Sequence, residues 1–239
     1  MKTAVILAGG LGTRLRPLTL ETPKPLIDID GRNIMEHVLL LLKRTGVTTA
    51  YLAIGYLAEK VQAFFGDSYQ GIRLKYIIEK KPLGTGGWMN LVDKEDFRED
   101  FIVMNADDFA DVDFAEIEKV HRQHGAVITI SLHQVDNVSA FGVAELQGDR
   151  IKGFVEKPSP EEAPSNWVNH GYYVFSPEAF RYAPGQEKIM LEYDIFPKVA
   201  ADGKLYGYKH AGQWVTTNTH EQLARVKREW KHPRDATEP

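Results

Sequence analysis

Residues 3–17 read TAVILAGGLGTRLRP, and residues 22–26 read TPKPL. An apolar, strand-like run, Thr3–Leu7, passes straight into Ala8, Gly9, Gly10 and Gly12. Arg14, Arg16 and then Lys24, set between two prolines, follow at once. Glycine has no Cβ, so backbone N–H groups there can converge on a ligand. Converging N–H groups beside cations make an anion site. An arginine fork grips phosphate oxygens in pairs, and a lysine adds a point charge. The plainer alternative is a basic strand-to-helix turn. Two common phosphate loops are excluded. The dinucleotide fingerprint needs glycine at position 15, where Leu15 stands, and the P-loop needs Gly-Lys-Ser/Thr, where Gly12 is followed by Thr13 and Arg14.

Working outward from this loop, strand and helix patterns alternate. Strands are expected at Thr3–Leu7, Thr48–Ile54, Arg73–Ile78, Phe101–Met104 and Val127–Leu132. Helices are expected at Ile34–Arg44, stopped by Gly46, at Leu57–Phe65, stopped by Gly66, from the Gly84–Gly87 cluster through Val92, and at Phe114–His124. Such alternation predicts an α/β fold, Rossmann-like and three-layered, with a mostly parallel mixed sheet. Ligands in such sheets bind beyond the carboxyl ends of the strands. The Gly9–Gly12 loop, the Gly84 loop and Asn105–Asp108 all follow strands and are expected at one edge. Further on, Phe141–Leu146 and Arg150–Val155 read as a hairpin, and Val168–Phe175, Leu205–His210 and Gln213–Thr217 as strands. Ile189–Ala201 reads as partly helical, and Thr219 as the N-cap of a helix to Lys227. One domain is expected over 1–227, with a polar tail at 228–239.

The 239 residues are 43% hydrophobic and 26% charged, enough for one generous core. A net charge of −4 argues against a nucleic-acid or anionic-membrane partner. Without cysteine there are no disulfides, thiolate metal sites or thiol nucleophiles. No apolar run nears the ~20 residues of a membrane span, and no signal segment opens the chain, so a cytoplasmic location is expected.

Asn105-Ala106-Asp107-Asp108 puts carboxylates where a buried strand emerges. Beside a phosphate loop this suits Mg²⁺, which takes a few carboxylates plus substrate phosphate oxygens. An ordinary polar turn is the alternative. Asp113 serves equally as a helix cap. In Glu156-Lys157-Pro158 the proline holds Lys157 extended, which can aim it across a cleft; a surface lysine is the alternative. Asn169 offers donors and acceptors suited to sugar hydroxyls, or else a turn. His121 and His124 read as a solvated helix face.

In order, LAGGLGTRLRPLT with TPKPL, PLGTGG, NADD, FGV, FVEKP, NHGYYVF and the segment around Trp214 resemble the sugar-1-phosphate nucleotidyltransferases, or NDP-sugar pyrophosphorylases. The likeness covers roughly residues 2–225 and is nearest in appearance to the mannose- and heptose-1-phosphate guanylyltransferases. It implies the nucleotide-diphospho-sugar transferase type of α/β fold, with a nucleotide-binding half (1–135) and a sugar-phosphate-binding half (136–227). It implies Mg²⁺ as cofactor, an NTP and a sugar 1-phosphate as partners, and leaves a homo-oligomer open. Leu7, Ala8, Gly9, Gly10, Gly12 and Thr13 would hold the nucleotide, with Arg14 on its phosphates. Lys24 would neutralise the α-phosphate and leaving pyrophosphate. Glu79, Gly84, Thr85 and Asn105 would lie at the nucleotide, and Asp107 would bind Mg²⁺. Gly142, Glu156 and Asn169 would face the sugar, and Lys157 its phosphate. The catalytic set would be Arg14, Lys24, Asp107 and Lys157.

One departure stands out. The family usually carries a second metal-binding aspartate in a Trp-x-Asp-x-Gly-Thr pattern. Here Trp214-Val215-Thr216-Thr217-Asn218-Thr219 places Thr216 at the aspartate and Asn218 at the glycine. Asn218 and Asp108 are the neighbours able to compensate. Three alternatives follow: a UTP- or dTTP-dependent member, a catalytically weak or regulatory nucleotide binder, and a nucleotide-sugar-dependent glycosyltransferase using Asp111-Val112-Asp113 as an Asp-x-Asp metal motif.

Overall fold

The computed structural model describes residues 1–230. Its elements, in chain order, are β1 (Thr3–Ala8), β2 (Asp28–Ile29), β3 (Arg32–Asn33), α1 (Ile34–Thr45), β4 (Thr49–Ile54), α2 (Ala58–Phe65), β5 (Ser68–Tyr69), β6 (Ile72–Ile78), β7 (Phe101–Asn105), β8 (Asp108–Ala110), α3 (Phe114–His124) and β9 (Ile128–Gln134). There follow β10 (Gly142–Gln147), β11 (Arg150–Glu156), β12 (Trp167–Phe175), α4 (Phe196–Ala201), β13 (Leu205–His210), β14 (Trp214–Thr216) and α5 (His220–Glu229).

One ten-stranded sheet runs β10-β11-β13-β9-β12-β7-β1-β4-β6-β5. β1 pairs in parallel with both β4 and β7, and β4 with β6. β12 lies antiparallel between β7 and β9, and β10–β11 is an antiparallel hairpin. The sheet is thus mixed. The parallel pairs β1–β4 and β4–β6 are connected through α1 and α2, β13 adds a parallel pairing with β9, and the antiparallel strands include the hairpin that needs only a tight turn.

Two apolar layers sandwich the sheet. On one face α1, α2 and α3 bury Met35, Leu39, Leu42, Val61, Phe65 and Ile117 against Ile6, Leu52 and Met104. On the other, Trp88, Phe97, Phe180, Leu191 and Phe196 close over Val5, Val103 and Tyr173. Local signals agree with the elements. Asn33 and Glu36 form a reciprocal capping box on α1, and Gly46 closes it in the left-handed conformation, φ 83°. Thr219 caps α5 as expected, accepting from the Gln222 N–H.

Two expectations are corrected. After the Gly84 cluster there is only a 3-10 turn, Gly87–Asn90, because Trp88 and Met89 plunge into the second layer. His121 is buried, not solvated. Its Nδ1 lies 2.9 Å from Thr129 Oγ1, and burial holds its pKa below the usual imidazole range. Most of the expected polar tail, 231–239, lies outside the described residues.

Candidate active site

β1 ends at Ala8, and the chain turns across the carboxyl edge of the sheet through Gly9–Gly12. Gly12 sits at φ 60°, and a Cβ there would stand 2.9 Å from Thr19 Cγ2, so a side chain is excluded by both conformation and space. The Thr19 hydroxyl donates to the Gly12 carbonyl at 2.8 Å and ties the loop down. Below the loop Leu15 is fully buried with Ile27, Ile29, Ile34, Phe109, Val215, Leu223 and Val226. The C-terminal helix α5 therefore supports the N-terminal loop.

β7 delivers Asn105–Asp108 to the same edge, the Ala106 N–H donating to the Leu7 carbonyl at 3.0 Å. Lys24, 83 residues earlier in the chain, donates from Nζ to Asp107 Oδ2 at 2.7 Å. It also donates to Asn218 Oδ1, 194 residues later, at 2.9 Å. Lys24 and Asp107 face a small cavity with Leu7, Ala8 and Gly10. Asp107 faces a second, open cleft with Leu7, Gly9, Gly10, Glu79, Pro82, Gly84, Thr85, Asn105 and Met190. Residues named from the motifs thus line two cavities that share Leu7, Gly10 and Asp107.

The two adjacent aspartates differ. Asp107 is on the cleft. Asp108 is turned inward, accepting from Asn105 Nδ2 at 3.3 Å and Trp214 Nε1 at 3.4 Å. Burial, and then the neighbouring Asp107 charge, holds its carboxyl well above the usual carboxylate range. Burial also raises the Glu79 carboxyl in the cleft.

On the other side, Gly142 pairs with Glu156 across the β10–β11 hairpin. Lys157 Nζ lies 2.9 Å from Glu156 Oε1, and this contact raises the lysine's pKa. Lys157 carries φ 50°, so it is not held extended as Pro158 predicts; this left-handed conformation is uncommon for a residue with a side chain and recurs at functional sites. Asn169 donates to the Tyr173 hydroxyl at 2.9 Å and accepts from the Gly171 N–H at 2.9 Å, so both ends of its amide already hold the fold. Between Asn169 and Tyr173 the β12–β9 register breaks, with Gly171 at φ 85°. A Cβ on Gly171 would strike the Asn105 amide and approach Asp108 Oδ2 to 2.9 Å.

Some named residues sit otherwise than the motifs imply. The Thr85 hydroxyl donates to Glu192 Oε2 at 2.7 Å and accepts from the Leu191 N–H at 2.9 Å, so it fastens the glycine loop to the 190s. Thr13 and Arg14 follow Gly12 in a 3-10 turn, Thr13–Leu15, with Arg14 exposed. Asp111 Oδ1 lies 3.1 Å from His210 Nε2 and Asp113 caps α3, and neither lines the two cavities at Asp107, which weakens the Asp-x-Asp glycosyltransferase reading. Thr216 lines a different cavity, with His133, Phe141, Trp214, Gln222 and Arg225. Glu192 was not legible in any motif. It stands on a π-helical turn, Leu191–Ile195, and burial raises its carboxyl.

Comparisons with known proteins give the chain's family and fold. The profile of the family described as Nucleotidyl transferase matches residues 3–232. A mannose-1-phosphate guanylyltransferase of Mycobacterium tuberculosis is 36% identical over 226 residues, covering 93% of this chain and 62% of that protein. The mannose-1-phosphate guanylyltransferase catalytic subunit beta of Danio rerio is 39% identical, covering 89% of this chain and 60% of that protein. The chain therefore spans under two thirds of the length of these curated relatives. HddC of Yersinia pseudotuberculosis, solved in complex with GMP-PN, superposes with a TM-score of 0.79 at 27% identity, over 97% of this chain and 100% of that one.

Proposed function

The chain belongs to the nucleotidyl transferase family, and we propose that it transfers a guanylyl group from GTP to a mannose- or heptose-type sugar 1-phosphate, giving an NDP-sugar and pyrophosphate. The observation that carries this reading is the Lys24 ammonium, held 2.7 Å from Asp107 where the glycine-loop cavities meet. The guanylyltransferase relatives and the GMP-PN complex favour guanine. So does Glu79. A half-buried carboxylate in the cleft is an acceptor, and guanine offers adjacent N–H donors on its Watson–Crick edge.

The reaction needs little covalent help from the protein. A phosphate oxygen of the sugar 1-phosphate attacks the α-phosphorus of the NTP; its P–O bond forms as the bond to the β-phosphate oxygen breaks and pyrophosphate leaves. A phosphate monoester loses its second proton near pH ~6, so the nucleophile is already a dianion at neutral pH and no general base is required. What remains is to hold two polyanions together and offset their repulsion. In this reading the Gly9–Gly12 backbone and Arg14 hold the triphosphate, Lys24 neutralises the leaving pyrophosphate, and Lys157 with Glu156 receives the sugar phosphate.

The residues beside Lys24 fit one Mg²⁺ held jointly with substrate. Among the described residues no three Asp, Glu, His or Cys side chains converge on a protein-only metal site. Yet Asp107 already binds a cation, the Lys24 ammonium, on the cleft wall. Asp107 and phosphate oxygens would hold the ion, which would draw charge off the α-phosphate.

Pyrophosphate release from each of four NTPs, measured against a panel of sugar 1-phosphates with Mg²⁺, tests the proposal. GTP with mannose 1-phosphate or a heptose 1-phosphate is expected to give the fastest release. Release with UTP or dTTP alone would move the assignment to another base, and silence across the panel with nucleotide binding intact would favour a regulatory binder.

A further inference from the structure

Lys24 has two anchors of different character. Asp107 is a carboxylate; Asn218 is a neutral amide whose Oδ1 accepts from the same Nζ. Asn218 is held in place by its surroundings. Thr217, fully buried, donates both its N–H (3.0 Å) and its hydroxyl (2.8 Å) to the Asp107 carbonyl. The Asn218 N–H donates to Gln222 Oε1 at 2.8 Å, and Thr219 caps the helix carrying Gln222. That helix is seated through Leu223 and Val226 against Leu15 and Ile34. Residues from both ends of the chain therefore converge to fix one amide oxygen on one ammonium.

The two acceptors respond differently to a dication. Asp107 Oδ2 cannot keep an ammonium at hydrogen-bond distance and also take a Mg²⁺ ion without the two cations repelling each other. The carboxylate is the better ligand for a hard ion, so the ammonium gives way. Asn218 carries no charge, so it can hold Lys24 without cancelling the charge that the phosphates need. We propose that Asn218 is a positioning residue that keeps Lys24 over the phosphates when Asp107 is taken up by the metal–nucleotide complex. This rests on the transfer reading above.

The test uses two variants and two readouts on the full chain. Asn218→Ala, folded by circular dichroism, should lower kcat about tenfold while leaving KM for the sugar phosphate within about twofold, since the loss falls on the transition state. Asn218→Asp should bind Mn²⁺ about tenfold more tightly than the native chain without nucleotide, read by magnetic resonance, because the ion then meets two carboxylates. It should also turn over more slowly, because Lys24 is now neutralised. Native-like kcat in Asn218→Ala, or unchanged Mn²⁺ affinity in Asn218→Asp, would overturn the proposal. A native chain inactive on every substrate would instead overturn the transfer reading, and the Mn²⁺ titration would still decide whether Asn218 faces the cation site.

Discussion

The two lysines of the proposed catalytic set are built in opposite ways. Lys24 is nearly enclosed, 11% exposed, and its partners come from 83 and 194 residues away. Lys157 is 62% exposed, and its partner is the adjacent residue, Glu156. Holding Lys24 requires the whole fold: β1, the end of β7, and the α5 junction must all be in place. Holding Lys157 requires only one end of a hairpin. A cation set by distant elements is fixed before substrate arrives, which suits charge developing in a transition state. An exposed cation paired with its own neighbour gains little from that pair and is free to swing onto an incoming phosphate. On the proposed reading, the nucleotide side is thus pre-organised and the sugar side adaptable.

Breaking the enclosed pair should have the largest effect. Lys24→Met or Asp107→Asn should cut kcat by about 10²-fold or more, the scale of removing one fixed electrostatic group from a transition state. Steady-state pyrophosphate release checks this. Arg14→Ala, removing an exposed cation at the loop, should cost about tenfold in kcat/KM for the nucleotide, about 1.4 kcal/mol. Lys157→Met should act elsewhere, raising KM for the sugar phosphate about tenfold while KM for the nucleotide stays within about twofold.

Two expected effects fall on stability. Gly171→Ala should destabilise the fold by about 1–3 kcal/mol in denaturant titration, since φ 85° and the Asn105 amide both oppose a Cβ. Behind the site, His133, His170 and His210 from three neighbouring strands pack beside Trp214, with Asp111 against His210. Burial, then the other histidines, holds His170 well below its usual pKa, and burial lowers His133. Their folded pKa values lie below the unfolded ones, so the unfolded chain binds more protons once pH drops under about 6.5. The two histidines should therefore contribute stability that is full above that pH and is lost as pH falls through it, while Asp108, Glu79 and Glu192, with raised carboxyls, contribute in the opposite sense. His170→Gln should remove part of the first contribution, so its unfolding midpoint, relative to the native chain, should improve as pH falls from 7 to 5; a difference that does not change with pH would contradict this.

Much of the nucleotide side was legible because it is local. The glycine loop, the β-α alternation, Gly46 as a helix stop and Thr219 as a cap are short-range signals, and each appears where its chemistry requires. Asn105 and Asp107 were legible as polar residues ending a buried strand. What escaped was contact across the chain. Nothing around Asn218 announces Lys24, and nothing in Thr85 announces Glu192. His121 read as solvated because its helix is charged; only the strand position of Thr129 reveals its partner. Trp88 and Met89 read as helical because periodicity does not distinguish a short 3-10 turn from a helix whose apolar face is buried.

A pair of double-mutant cycles in kcat tests the contrast between the two lysines most directly. Lys24→Met with Asp107→Asn is expected to be strongly non-additive: the double variant should be about tenfold or more faster than the product of the single effects implies, because losing either group already breaks the same charge-neutralising set around the phosphates. Lys157→Met with Glu156→Gln is expected to combine within about twofold of that product. Additive behaviour at Lys24–Asp107, or strong coupling at Lys157–Glu156, would contradict the view that only the nucleotide side is held in advance.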